Sequence, residues 1–111
     1  NMLVYGGTHD NETLAGFFGP GQSRRMLRFA RRYLDVEGDA DFTRRFIRAA
    51  LASVSDTAVI PMPDWLGLGA EARINTPSTL GGNWLWRMDP AALTDALAAD
   101  ILALTKLYGR C

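Results

Sequence analysis

Near the start of the chain, six residues place polar side chains of complementary chemistry beside two glycines: Gly6-Gly7-Thr8-His9-Asp10-Asn11. An imidazole both donates and accepts hydrogen bonds, and a carboxylate offers two acceptor oxygens. Side by side, His9 and Asp10 suit vicinal hydroxyls, the groups a sugar ring presents. The glycine pair allows backbone and ligand to approach closely. A plainer reading stays open, in which Asp10 and Asn11 cap the next helix and His9 packs beneath it. His9 is the one histidine of the sequence, and no other ligand type stands at metal-binding spacing from it, so no metal site is expected.

Two further segments carry candidate chemistry. Asp64-Trp65-Leu66-Gly67-Leu68-Gly69 leads into Glu71-Ala72-Arg73-Ile74-Asn75-Thr76-Pro77. Gly67 and Gly69 lack the lysine and spacing of a phosphate-binding loop. Arg73 and Asn75 are candidates to face a polar ligand; the alternative is a structural loop tied down by an Arg73–carboxylate pair. Gly81-Gly82-Asn83-Trp84-Leu85-Trp86-Arg87 is the third. Indoles stack on sugar faces, which makes Trp65, Trp84 and Trp86 of interest, but buried tryptophan is the commoner state, and core packing is expected for Trp84 and Trp86.

The elements that must position these residues follow from apolar spacing. Residues 2–5 read as a buried strand that ends at Gly6. A short helix is expected over 12–18, capped by Thr8 or Asn11 and broken at Gly19-Pro20-Gly21. Over 22–34, Met26, Leu27, Ala30, Tyr33 and Leu34 recur at helical spacing, with Arg24, Arg25, Arg28, Arg31 and Arg32 on the other side. That arginine face reads as a solvated outer surface. A helix over 41–53 has Asp39 or Asp41 as N-cap and Phe42, Phe46, Ala50 and Leu51 on one side. A second strand spans 57–62, and a long loop spans 63–87, a length that usually signals function. Asp89-Pro90 opens the last helix, along which Leu93, Leu97, Ile101, Leu104 and Tyr108 share a face before Gly109 ends it. Strands alternating with helices predict an α/β fold. Two strands alone make a poor sheet, and a parallel pair needs cover on both faces. The 111 residues therefore read as a single unit within a larger body.

Composition excludes several classes. Twelve basic and twelve acidic residues cancel, which gives no global attraction to nucleic acid or an anionic membrane. No apolar run approaches the roughly 20 residues that span a bilayer, and no basic segment followed by an apolar core is present at residue 1, so no signal peptide is expected. The sequence starts as if in mid-domain, with Asn1 read as a tag remnant. Cys111, the one cysteine, cannot form an internal disulfide, in keeping with a cytoplasmic setting.

Taken in order, "GTHDN", "LGLGAEARINTP" and "GNWLWR" resemble the end of the 4-α-glucanotransferases of glycoside hydrolase family 77, and the resemblance covers nearly the whole chain. It implies the C-terminal part of a (β/α)₈ barrel, helix-rich, holding the last two βα units. It implies retaining transfer of α-1,4-glucan segments to the 4-hydroxyl of an acceptor glucan, with no cofactor. One carboxylate attacks the anomeric carbon and a second protonates the leaving oxygen; neither of those family motifs stands in this chain. A third carboxylate, carried over to Asp10, stabilises the transition state. His9 is implied as a neighbouring hydroxyl ligand, and Asn75 as an acceptor-side contact. One position departs from the pattern: Pro63 precedes Asp64 where the family often has glutamine. With Pro61 it removes ladder donors at the strand exit.

Two functional classes follow. In the first, the chain is an inactive piece of a glucan-transferring enzyme whose open sheet edges promote self-association. In the second, it is a stand-alone helical binding module for sugar or an acidic partner.

Overall fold

The apolar spacing over 22–34 and 41–53 becomes two helices packed against each other. The computed structural model describes residues 1–37 and 41–111. Its elements, in chain order, are β1 (Leu3–Tyr5), α1 (Leu14–Phe17), α2 (Arg24–Leu34), α3 (Phe42–Ala52), β2 (Thr57–Val59), α4 (Met62–Trp65) and α5 (Asp95–Leu107). Short 3₁₀ turns sit at Ala70–Ala72 and Pro90–Ala92. Helix outweighs strand, as expected.

Each helix start has a local cause. Ser23, Asp41 and Thr94 accept a hydrogen bond from the third backbone N–H beyond them and so cap α2, α3 and α5. Asp39, the alternative cap for α3, lies outside the described residues. Thr13, not Thr8 or Asn11, caps α1. The reason is that Asn11 is already engaged: its Oδ1 accepts from the Thr8 backbone N–H at 2.8 Å and from the Thr8 hydroxyl at 2.9 Å. Asp89 caps only the turn at Pro90–Ala92, so α5 begins several residues later than the Asp-Pro pair suggests.

β1 and β2 pair in parallel, with Leu3 opposite Thr57, Val4 opposite Ala58 and Tyr5 opposite Val59. The three helices α1 to α3 form the crossover between them. The strands are not buried as the sequence suggested. Leu3, Tyr5 and Val59 are about half exposed, and only the Val4–Ala58 side is covered. Side chains alternate across a sheet, so one face packs on the helices and the other stands open. β2 stops at Val59 rather than at residue 62. Pro61 becomes the N-cap of α4 and Pro63 sits in its first turn, which is where a missing N–H costs least. The expected 63–87 loop therefore contains a helical turn and a 3₁₀ turn.

Behind the covered face, Leu14, Ile47, Leu51 and Leu104 form the core, with Phe46, Trp65 and Tyr108 against it. Burying each such aliphatic side chain stabilises by about 1.5–3 kcal/mol. On α5, Leu97, Ile101, Leu104 and Tyr108 turn inward, while Leu93 precedes the helix and is exposed. Arg110 fastens the chain end by donating from Nε to the Leu51 carbonyl at 2.7 Å and from a terminal nitrogen to Ser53 at 3.2 Å. On α2 the arginines 24, 25, 28 and 32 are exposed, as expected of an outer face. The apolar side behaves otherwise. Ala30 is buried, but Met26, Phe29 and Tyr33 are open to solvent and border a groove of about 470 Å³ beside Val4 and Phe46. No helix is long and apolar enough to cross a membrane among the described residues.

Candidate functional site

The strand exit after β1 and the loop after the Ala70–Ala72 turn meet, although their residues are more than sixty positions apart. Asn75 donates from Nδ2 to Oδ1 of Asp10 at 2.6 Å. The Asn75 backbone N–H donates to the His9 carbonyl at 3.1 Å. His9 Nε2 lies 3.2 Å from Oδ2 of Asp10. The sequence-nominated His9, Asp10 and Asn75 thus form one cluster. The His9 and Asp10 side chains are 52% and 48% exposed, so the cluster is reachable from solvent.

Each side of the cluster is shaped locally. The Thr8–Asn11 turn bends the chain just past Gly7, where an added Cβ would lie 3.3 Å from the Asn11 Cβ. The turn leaves His9 and Asp10 at its tip. On the opposite side, Ala72 is 1% exposed and anchors the 3₁₀ turn against the body. The backbone leaves the turn extended at Arg73 and continues to Asn75 without regular secondary structure. Arg73 donates from Nε to the Asn75 carbonyl and from a terminal nitrogen to the Asp10 carbonyl, each at 3.0 Å. Its other terminal nitrogen is 3.8 Å from Glu12. The Arg73–carboxylate pair considered from sequence is present, as the longest of three contacts.

Beneath the two loops lies Asp64, 4% exposed. Its Oδ1 accepts the Leu14 N–H at 2.8 Å, joining the α4 segment to the start of α1. Burial pushes the Asp64 carboxyl above the ordinary carboxylate range, against the lowering effect of that backbone hydrogen bond.

Trp84 departs from expectation. It is 59% exposed rather than in the core, and its ring lies 4.9 Å from that of His9 at a tilt of 36°. Its backbone N–H donates to Ile74 at 2.6 Å. The surrounding turn explains this placement. Gly81 and Gly82 take positive φ, and Trp84 itself has φ of 61°, a conformation that costs a non-glycine residue energy and is often found at functional sites. Asn83 holds the turn by accepting the Thr76 N–H and donating to the Thr79 hydroxyl. The Gly81-Gly82 pair was the available sequence signal that Trp84 belongs to a tight exposed turn. Trp65 and Trp86 are half-buried, with Trp65 against the core. The arginine grip on the Asp10 carbonyl had no signal in the sequence.

Chemically, the cluster offers a carboxylate with remaining lone pairs, an imidazole, an amide and an indole ring within one exposed group of residues. This set fits neutral hydroxylated rings. Among the described residues no group of three histidine, cysteine or acidic side chains is placed to hold a metal ion.

The chain is similar to known proteins along nearly its whole length. The family model described as 4-alpha-glucanotransferase matches residues 1–94. A 4-alpha-glucanotransferase of Clostridium butyricum is 41% identical over all of this chain, which spans 23% of that protein. A chloroplastic/amyloplastic one of Arabidopsis thaliana is 42% identical over 99% of the chain and 19% of its own length. An amylomaltase from Streptococcus agalactiae, solved in complex with acarbose, superposes with a TM-score of 0.87 at 35% identity, over 96% of this chain and 21% of that one. The chain spans about a fifth of the length of these relatives.

Proposed function

We propose, from the premise that this chain belongs to glycoside hydrolase family 77, the 4-alpha-glucanotransferases, that it supplies the sugar-holding side of an active site that transfers α-1,4-glucan segments. The observation that carries this reading is the 2.6 Å contact between Asp10 and Asn75 across two loops that open to solvent. In this reading the parallel pair β1–β2 is the last part of a (β/α)₈ barrel, with β1 and β2 as two successive barrel strands. Functional side chains of such barrels project from the C-terminal ends of the strands. His9 and Asp10 follow the end of β1, and Asn75 follows the exit of β2.

The reaction is a retaining double displacement. A carboxylate outside this chain attacks the anomeric carbon while a second protonates the leaving oxygen. The glycosyl-enzyme then passes to the 4-hydroxyl of an acceptor glucan instead of to water. Asp10 accepts hydroxyl hydrogens of the donor sugar, and these bonds tighten as the ring takes up oxocarbenium character; such bonds supply several kcal/mol. His9 holds a neighbouring hydroxyl, and Asn75 orients Asp10 while facing the acceptor. Positive charge on the ring favours the nearby carboxylate most at the transition state, which is the condition for faster chemistry rather than merely tighter binding.

The chain on its own lacks the nucleophile and the acid/base, so purified protein with maltotriose should release neither glucose nor longer oligomers. Turnover by this chain would refute the reading that the nucleophile and the acid/base lie outside it. The open sheet face and the α2 groove further support self-association of the isolated chain, through edge pairing or exchanged helices; light scattering that shows only monomer at high concentration would contradict it. A cytoplasmic setting fits the free, exposed Cys111.

A further inference from the structure

We propose that Arg73 is the positioning residue that sets the distance between the two sugar-holding loops; this rests on the role given to Asp10 above. Three observations carry it. First, one guanidinium reaches both loops: it donates to the Asp10 carbonyl and to the Asn75 carbonyl, each at 3.0 Å, so it holds the backbones of the same two residues whose side chains meet at 2.6 Å. Second, its third nitrogen faces Glu12 at 3.8 Å, with both side chains about three-quarters buried. Glu12 in turn accepts the Thr13 backbone N–H at 2.9 Å, at the cap of α1. The arginine is therefore fixed to the scaffold as well as to the loops. Third, Arg73 follows Ala72, which is 1% exposed, and its own N–H closes the 3₁₀ turn on Ala70 at 3.1 Å.

A planar guanidinium presents its donors in a rigid fork, whereas an ammonium is a single point charge on a flexible stem. Only the fork can satisfy two carbonyls and a carboxylate at fixed separations. Without it, the Asp10 and Asn75 carbonyls turn to water, and the two loops are left joined only by the Asn75 bonds to His9 and Asp10, which let their spacing drift. Misplacement of a substrate-holding group by about 1 Å can lower the rate on the order of 100-fold. The side chain of Arg73 touches neither the Asp10 carboxylate nor the His9 ring by any of these bonds, so its effect passes through geometry.

The test uses the full-length enzyme that carries this chain, with Arg73→Ala, Arg73→Lys and Asp10→Asn assayed on maltotriose. Arg73→Ala should lower kcat by about 10- to 100-fold with a smaller change in KM, and millimolar guanidinium should restore part of it. Arg73→Lys should fall between Arg73→Ala and the parent. If Arg73→Ala fails to fold, Arg73→Lys with the thermal midpoint of the parent decides the matter. Full activity in folded Arg73→Ala or Arg73→Lys, or a loss that follows only the unfolded fraction, overturns the proposal. If Asp10→Asn keeps parental activity, the reading of Asp10 has failed instead, whatever Arg73 does.

Discussion

The loops around Asp10 and the face formed by α2 and β1 differ in how far the chain completes them. At the loops, polar groups find partners within the chain: Asp10 with Asn75 and His9, Arg73 with two carbonyls and Glu12, Asn83 with Thr76 and Thr79. At the other face, apolar groups do not. Phe29 is 64% and Tyr33 76% exposed, stacked on each other beside the groove. Hydrogen bonds are directional and local, so two loops can satisfy each other without the rest of an enzyme. Apolar burial needs a surface of matching area, and a chain spanning a fifth of its relatives does not bring one. The cluster around Asp10 is thus organised internally, while the scaffold that carries it is open.

That contrast can be broken or sharpened by substitution. The largest change in stability is expected in the core that both regions share. Ile47→Ala, at 3% exposure, should cost about 2–5 kcal/mol, read as a lower urea midpoint for the chain. A smaller loss would mean that the core is as open as the α2 face. Next comes the buried tie beneath the site. Asp64→Ala leaves the Leu14 N–H without its acceptor and should cost about 1–3 kcal/mol. It should also broaden amide signals of residues 8–11 in NMR spectra; unchanged spectra would separate Asp64 from the site.

The smallest effect belongs to the surface. Arg44 grips Asp100 with two bonds of 2.8 Å and holds that carboxyl below its ordinary range. Both side chains are more than a third exposed, so solvent screens the pair to about 0.2–1 kcal/mol. Because the folded carboxyl is depressed, its contribution is present above the unfolded value near about 3.9 and is lost as pH falls through the folded one. Asp100→Asn should therefore lower the thermal midpoint slightly at pH 7 and leave it unchanged at the acid end. An equal effect at both ends would assign the loss to packing.

How much of this was legible in the sequence depends on the range of the interaction. Helices α2 and α3 follow from apolar spacing, and α3 also from its cap Asp41, because those signals act over one or two turns; the Ser23 cap of α2 came from the structure. The capping role of Thr13 was not legible, since it depends on Asn11 first being captured by Thr8. Likewise the second strand ends earlier than its apolar run suggests, because Pro61 and Pro63 start a helical turn. The exposure of β1, Phe29 and Tyr33 depends on what lies across from them, which no local pattern reports. Within the site, the residue types at His9, Asp10 and Asn75 pointed to hydroxyl chemistry. Their meeting across sixty-odd residues came from the family resemblance, not from spacing. Trp84 runs against the general burial of tryptophan because the Gly81-Gly82 turn directs it outward.

The claim on which the rest depends is that Asp10 holds sugar hydroxyls at the transition state. The most direct test is steady-state transfer on maltotriose by the full-length enzyme carrying Asp10→Asn, which keeps the side-chain shape and removes the charge. Loss of one such stabilising group costs on the order of 100- to 1,000-fold in kcat, and a fall of that size with an unchanged thermal midpoint is the predicted result. A kcat within a few-fold of the parent enzyme would contradict it.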